Sequence, residues 1–273
     1  MPQITVESSN HIAEVTLTNP PRGYLNNENA TELLTALEKL AATPEIRVII
    51  LTGGVPGVFI RHYDVGEIVA MAKVARRAQQ TQAGETPAAV AAVHQAISLI
   101  DGMAKPVIAA INGYAQGGGF ETALACDIRI AEAGDYRIGL PETNIGIFPG
   151  AGGTQRLPRV IGMARALEMI LRGRTVDPEE AAQIGLVHEL TRRGGALARA
   201  REIAAEIADR PPLAVGMAKQ LVKSALDRPV AEGVLEEREM FDRILREDDT
   251  AIDAMRWFLD NGEDINRRPP GGA

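Results

Sequence analysis

Residues 105–127 read KPVIAAINGYAQGGGFETALACD. Val107 to Ile111 is an unbroken apolar run, followed first by Asn112-Gly113 and then by Gly117, Gly118 and Gly119. A strand with no polar alternation is buried on both faces, so helices must cover both sides of its sheet. VIIL at 48–51 is a second run of this kind, closed by the Gly-rich turn TGGVPGVF. These two segments predict an α/β fold.

The rest of the chain fits around them. Ile4 and Val6, then Ala13, Val15 and Leu17, keep one parity on either side of SSNH, which predicts a hairpin with one buried face. Ala30, Leu33, Leu34, Leu37, Leu40 and Ala41 form one helical stripe, and Pro44 stops that helix. Two helices are expected between Val65 and Met103, broken near AGETP by Gly84 and Pro87. IRIA from 128 reads as a further strand. Asp177-Pro178 with Glu180 marks a helix start, and Gly185 its end. No linker, repeat or low-complexity segment interrupts the chain. The expected organisation is a β-rich core over residues 1–190 and a helical region over 191–273.

The glycine triplet allows a dual reading. A turn between strand and helix needs glycine for packing, but it also leaves amide N–H groups free for an anion or a developing oxyanion. Neither nucleotide fingerprint fits, because Thr122 stands where G-x-G-x-x-G needs its last glycine and no GK[ST] follows. Glu121 falls in the first helical turn, where the dipole alone favours a carboxylate by ~0.3–1 kcal/mol. Glu142, in GLPETNIGIFPGAGGTQRLPRVIG, is either a solvated loop carboxylate or the second member of an acid/base pair.

Composition narrows the chemistry. Acidic residues outnumber basic ones, 36 to 29, for a net charge of −7, which argues against nucleic-acid binding. Cys126 is the only cysteine, so an intramolecular disulfide is excluded and a reducing, cytoplasmic setting is expected. His11, His62, His94 and His188 are scattered with no HExxH, so no metal site is expected. No G-x-S-x-G marks a serine hydrolase of that type. From the start, MPQITVESSN, no signal peptide is expected, and no apolar stretch approaches the ~20 residues of a membrane span.

GGGFETALACDIRIA, followed by LPETNIGIFPGAGGTQRLPR and LRGRTVDPEEAAQIGLVHEL, resembles the crotonase superfamily of enoyl-CoA hydratases and isomerases. The resemblance covers most of residues 1–225 and is most specific between 105 and 190. It implies a crotonase-like spiral of ββα units with a helical C-terminal trimerisation region, in a homotrimer or a hexamer built as a dimer of trimers. VLEEREMFDRIL in that region is expected to bury Met240, Phe241 and Ile244 against the core or a neighbouring subunit. The resemblance further implies an acyl-CoA substrate and no cofactor, coenzyme A being part of the substrate.

By position, Glu121 and Glu142 fall on the two glutamates of the hydratases, and Gly118 on one oxyanion-hole donor. Family isomerases that work with one acid/base usually keep only the glutamate at 142; this chain has both. The second donor belongs to a loop resembling F-x-A-G-A-D, which here reads VFIRHYDVGEI. Phe59 and Asp64 match, Arg61, His62 and Tyr63 replace small residues, and Tyr63 takes the donor position. Arg61 and His62 either point away, narrow the entrance, or bring His62 into the chemistry. Further substrate contacts are expected from Arg22, Tyr24, Leu25, Val65, Tyr114, Gly117 and Pro141. Arg22 is the candidate for the coenzyme's phosphates, because the tail, FLDNGEDIN, is acidic until Arg267 and Arg268. The leading expectation is hydration of a 2-enoyl-CoA. The rivals are an isomerase, hydrolase or lyase of the same fold and a catalytically silent scaffold.

Overall fold

The computed structural model describes residues 2–80 and 88–266. The hairpin opens it: β1 (Ile4–Ser9) and β2 (Ile12–Leu17) pair antiparallel about Asn10 and His11, both at positive φ, as a two-residue turn requires. Ala13, Val15, Leu17 and Ile4 are buried, but Val6 is 42% exposed. Its strand lies at the sheet edge, and α1 (Asn27–Ala42) reaches only the start of it, where Glu32 accepts from the amides of Gln3 and Ile4. The α1 stripe buries Ala30, Leu33, Leu37 and Leu40, while Leu34 and Ala41 are half-buried at its margin. Asn26 and Asn29 close a capping box at its start.

Three ββα-like turns follow, and each adds one strand to each of two sheets. The strand pairs are β3 (Val48–Gly53) with β4 (Val58–Ile60), β5 (Val107–Ile111) with β6 (Tyr114–Gln116), and β7 (Ile128–Glu132) with β8 (Ile138–Gly139). The first member of each pair joins the larger sheet, ordered β1-β2-β3-β5-β7-β10, where β10 is Glu189–Thr191. The second member joins the smaller sheet, β4-β6-β8-β9, where β9 is Thr175–Val176. β3, β5 and β7 run parallel, as do β4, β6 and β8. The chain is therefore a spiral of ββα units.

Helices α2 (Val65–Gln80) and α3 (Ala88–Gly102) fill the first turn, and α4 (Gly118–Ala125) the second. The expected break at AGETP lies outside the described residues. After β8 come a short 3-10 helix (Glu142–Ile145), α5 (Gly153–Ile161), α6 (Met163–Leu171) and α7 (Pro178–Gln183). Asp177 caps α7 by accepting from the Glu180 amide at 2.8 Å, and Gly185 takes positive φ just beyond its end.

Both faces of the larger sheet are covered, which explains the lack of alternation in its strands. Ile49, Leu51, Val107, Ala109 and Ile111 face one core with α1, α3 and α4. Val48, Ile50, Ile108, Ala110 and Ile130 face the other, closed by α8 (Ala196–Ala208) through Ala196, Ala200, Ala204 and Ala208. Alanine at every fourth position gives α8 one flat face that lies close on the strands. Beyond it, α9 (Pro212–Ser224) anchors to the core through Lys219, whose ammonium donates to the carbonyls of Ile100 and Lys105 and pairs with Asp127 at 2.9 Å. α10 (Val230–Glu247) and α11 (Asp249–Asp260) cover little of the chain. Within the single chain α10 buries no residue: Phe241 is 59% exposed, and Met240 and Ile244 are only half-buried. The core already has its cover from α8, so within one chain α10 packs mainly on α9 and α11, which leaves Phe241 uncovered. Among the described residues, no helix is long and apolar enough to cross a membrane.

Candidate active site

The carboxyl ends of β4, β6 and β8 lie side by side because those strands are parallel neighbours. The loop after β4 carries Arg61 to Asp64, β6 runs into Gly117 and Gly118, and β8 runs into Pro141 and Glu142. Adjacent strands lie ~4.8 Å apart, so three segments distant in sequence are brought to one edge.

The Arg61–Asp64 loop is held through its backbone. Arg61 N donates to Gly23 O at 2.9 Å, Leu25 N to His62 O at 2.9 Å, and Asp64 N to Leu25 O at 2.7 Å. Among the described residues the Tyr63 amide has no acceptor. Facing it is Gly118, the first residue of α4, whose amide has no intrahelical partner. A Cβ on Gly118 would stand 3.5 Å from Tyr63 N, which shows how closely the two segments approach. Gly117 turns the chain at φ +49, in the left-handed region that favours glycine. Gly119 must also lack a side chain, since a Cβ there would fall 1.9 Å from Ile60 O on β4. The triplet thus brings a helix start against the neighbouring loop and leaves two amides without main-chain acceptors on residues that line one cavity.

Glu121, in the first turn of α4, is 3% exposed. Its Oε1 accepts from Ala151 N at 2.7 Å and Gly153 N at 2.8 Å. Burial raises its pKa, and those two amides and the more distant Arg156 and His94 oppose the rise. Glu142 heads the 3-10 helix, which is fixed to the end of α6 by Thr143 Oγ1 donating to Ile170 O and Asn144 Nδ2 to Gly173 O. Its Oε2 is buried without a hydrogen-bond partner. Burial first, then the charge of Glu121, pushes its pKa up to about 7. The two carboxyls therefore differ: two main-chain hydrogen bonds offset part of the rise at Glu121, while Glu142, with a buried oxygen lacking a partner, is pushed up further.

This asymmetry has a stability consequence. Below the usual carboxylate pKa of 4.5, Glu142 is neutral in both folded and unfolded chains. Between there and about 7 the unfolded chain ionises first, so stability falls as pH rises through that window. Glu142→Gln removes the loss: urea unfolding should find the variant more stable than wild type at pH 8, with the gap closing at pH 4.5.

Tyr63, Gly118, Glu121 and Glu142 line one cavity of about 440 Å³, together with His62, Val65, Gly117 and Pro141. Its apolar walls come from Ile68 and Met71 of α2, Val93 of α3, and Ile147 and Phe148. Phe148 and Ile145 are 70% and 58% exposed, so the cavity opens to solvent on their side. The other expected contacts lie outside it. Leu25 is wholly buried and acts through the backbone bonds just described. Arg61 turns away, its guanidinium 4.7 Å from the centre of the Tyr114 ring. Asp64 caps the start of α2 by accepting from Gly66 N at 2.7 Å. Tyr24 stacks on His62 with ring centres 4.4 Å apart, and Arg22 donates to the Tyr24 hydroxyl at 3.0 Å. That trio is continuous with the cavity through His62. The Tyr63 hydroxyl is tied back to Glu67 at 2.8 Å, away from its own amide.

Sequence reasoning missed Ala151, Gly153 and His94. The first two hold Glu121 by main-chain N–H, which leaves no side-chain signature beyond the run PGAGG. His94 lines the cavity from α3 and hydrogen-bonds Gly150 O at 2.8 Å; one histidine in an Ala-rich helix carries no motif. Cys126 takes no part, being buried with its thiol pushed up to about 12. A larger cavity of about 980 Å³ lies between α9 and the core, where Lys219, Lys223, Arg156, Asp101 and Asp127 pair with one another.

Comparison with known proteins places these features in a family. Residues 7–264 match the family model described as enoyl-CoA hydratase/isomerase. The short-chain-enoyl-CoA hydratase of Clostridium acetobutylicum is 32% identical over 258 residues, covering 94% of both proteins. The human enoyl-CoA hydratase domain-containing protein 2, mitochondrial, is 37% identical over 228 residues, covering 82% of this chain and 74% of that protein. Among solved structures, an enoyl-CoA hydratase from Bacillus anthracis superposes with a TM-score of 0.86 at 32% identity, covering 99% of each chain.

Proposed function

The chain belongs to the enoyl-CoA hydratase/isomerase family of acyl-CoA-processing enzymes, and from that premise we propose that it hydrates a 2-enoyl-CoA to a 3-hydroxyacyl-CoA. One observation carries the reading: an amide-braced carboxylate and a proton-holding carboxyl face one cavity beside two unpaired main-chain donors. In this reading the thioester oxygen sits between the amides of Tyr63 and Gly118. Glu121 takes a proton from water as the water oxygen bonds to Cβ, and the Cα=Cβ electrons move toward the thioester. The two amides stabilise the resulting enolate oxygen. Glu142 then delivers its proton to Cα, and the two carboxyls exchange protons with solvent to reset. No cofactor is needed beyond the coenzyme A of the substrate. Arg22, exposed beside Tyr24, is the proposed partner for its phosphates.

Incubation with crotonyl-CoA tests the reading. Loss of the conjugated-thioester absorbance with a mass gain of one water supports it. An unchanged mass with a moved double bond, or release of free coenzyme A, replaces it with isomerase or hydrolase chemistry. Binding without turnover across a panel of acyl-CoAs replaces it with a scaffold role.

We also propose a trimer, or a hexamer of two trimers, working in the cytoplasm. Met163, Leu167 and Leu171 form one apolar face of α6, each more than half exposed, and Val230, Leu235 and Phe241 of α10 are similarly uncovered. Apolar stripes of this extent call for a partner surface. Light scattering at micromolar concentration should give a trimer or hexamer, and a monomer would overturn this part.

A further inference from the structure

The carbonyl of Gly150 and the amide of Ala151 belong to one peptide group. The amide donates to Glu121 Oε1 at 2.7 Å, and the carbonyl, on the opposite side, accepts from His94 Nε2 at 2.8 Å. A carbonyl can only accept, so His94 carries its proton on Nε2 in this contact. Imidazole, peptide and carboxylate form a continuous chain of hydrogen bonds from α3 to α4. Donation to the carbonyl polarises the peptide and strengthens its N–H as a donor.

We propose that His94 is a positioning residue for the reaction, fixing the Gly150–Ala151 peptide so that its amide keeps Glu121 anionic and aimed at the cavity. This rests on the hydratase reading for the role of Glu121, but not for the hydrogen bonds themselves. The neighbouring peptide is held from the other side, where Arg156 of α5 donates to Ala151 O at 3.1 Å and pairs with Asp101 of α3 at 3.0 Å. The loop is therefore suspended between α3 and α5, and His94 is the only one of these holders that also lines the cavity. The titratable and charged groups around the link are Glu121 from α4, Arg156 and Asp101 behind the loop, and Glu142 and His62 across the cavity. His94 need not exchange a proton with substrate; it acts through the peptide.

The test compares His94→Ala with His94→Gln, whose amide still donates a hydrogen bond but carries no charge. In protein labelled with 13C at glutamate carboxyl carbons, the Glu121 signal, assigned by its loss in Glu121→Gln, is titrated in each form. His94→Ala should raise the pKa of Glu121 by about half a unit to one unit, and His94→Gln should restore most of it. With crotonyl-CoA, His94→Ala should lower kcat about tenfold with KM changed less than about twofold, and His94→Gln should recover it. An unmoved Glu121 titration in His94→Ala overturns the proposal. Equal impairment in the glutamine variant also overturns it, because charge and not donation would then be the active property. If the wild type fails to hydrate crotonyl-CoA but the titration behaves as stated, the hydratase reading fails and the positioning role stands.

Discussion

Glu121→Gln and Glu142→Gln should each lower kcat for crotonyl-CoA hydration about 10²–10⁴-fold, the usual range for losing a general acid or base. The amide keeps the shape of the carboxyl and loses only its proton chemistry, so the variants should retain the wild-type elution position. They should nevertheless differ. Glu121 Oε1 is gripped by the Ala151 and Gly153 amides. A glutamine there must keep its oxygen toward them, so that loop stays in place. Glu142 has a buried oxygen with no partner, and glutamine replaces a group whose ionised form was disfavoured. The Glu142 variant should therefore lose activity while gaining stability at alkaline pH, whereas the Glu121 variant, whose carboxyl is also raised by burial but eased by two amides, should lose activity with a smaller gain. Near-normal turnover in either variant would exclude the two-carboxyl mechanism.

The second large effect is expected at Gly118. A methyl group there would stand 3.3 Å from Tyr63 Cβ and 3.5 Å from Tyr63 N, crowding one amide of the proposed oxyanion hole from the residue that supplies the other. Gly118→Ala should lower kcat about 10²–10³-fold, the cost of one lost oxyanion donor, because the methyl occupies space that the enolate oxygen would use. The fold should survive, since the distance to Tyr63 N is an ordinary van der Waals contact and the one to Tyr63 Cβ asks for a shift of only a few tenths of an ångström. Gly119 is the contrasting position: its Cβ would meet the Ile60 carbonyl, which is backbone and cannot step aside. Turnover of Gly118→Ala within about threefold of wild type would mean that the thioester oxygen binds elsewhere.

The parts of this molecule legible in its sequence are those where both local pattern and tertiary need act on the same residues. The runs at 48–51 and 107–111 are apolar because α8 covers one face and the α1, α3 and α4 layer the other, and the runs report that burial directly. The start of α7 is equally legible, because a cap is a local bond between Asp177 and Glu180. Less legible are features set at a distance. Val6 keeps the parity of a buried residue, but its exposure depends on how far α1 reaches along an edge strand. Phe241 has an apolar identity and no partner in its own chain, so its environment is not decided by that chain alone. Within the site, resemblance brought out Glu121 and Glu142, but the groups that make them unequal are peptide amides and one histidine on α3, in the preceding turn of the spiral. Amides have no letter in a sequence.

The spiral has a further consequence for how such a chain can diversify. Each segment of the candidate site hangs from the end of a strand whose neighbours are fixed by main-chain pairing, and the two proposed oxyanion donors are main-chain atoms too. The proposed oxygen-binding geometry is thus indifferent to the side chains at 61–63, all three of which are large in this protein where its resemblance suggests small ones. Arg61 is parked on Tyr114 and lies outside the cavity, while His62 and Tyr63 line it, Tyr63 with its hydroxyl tethered to Glu67. Drift at these positions can redraw the acyl pocket while the electrophile stays where it was. Selection for a new substrate and selection for the chemistry then act on different atoms of the same residues, which is an uncommon freedom for an active site.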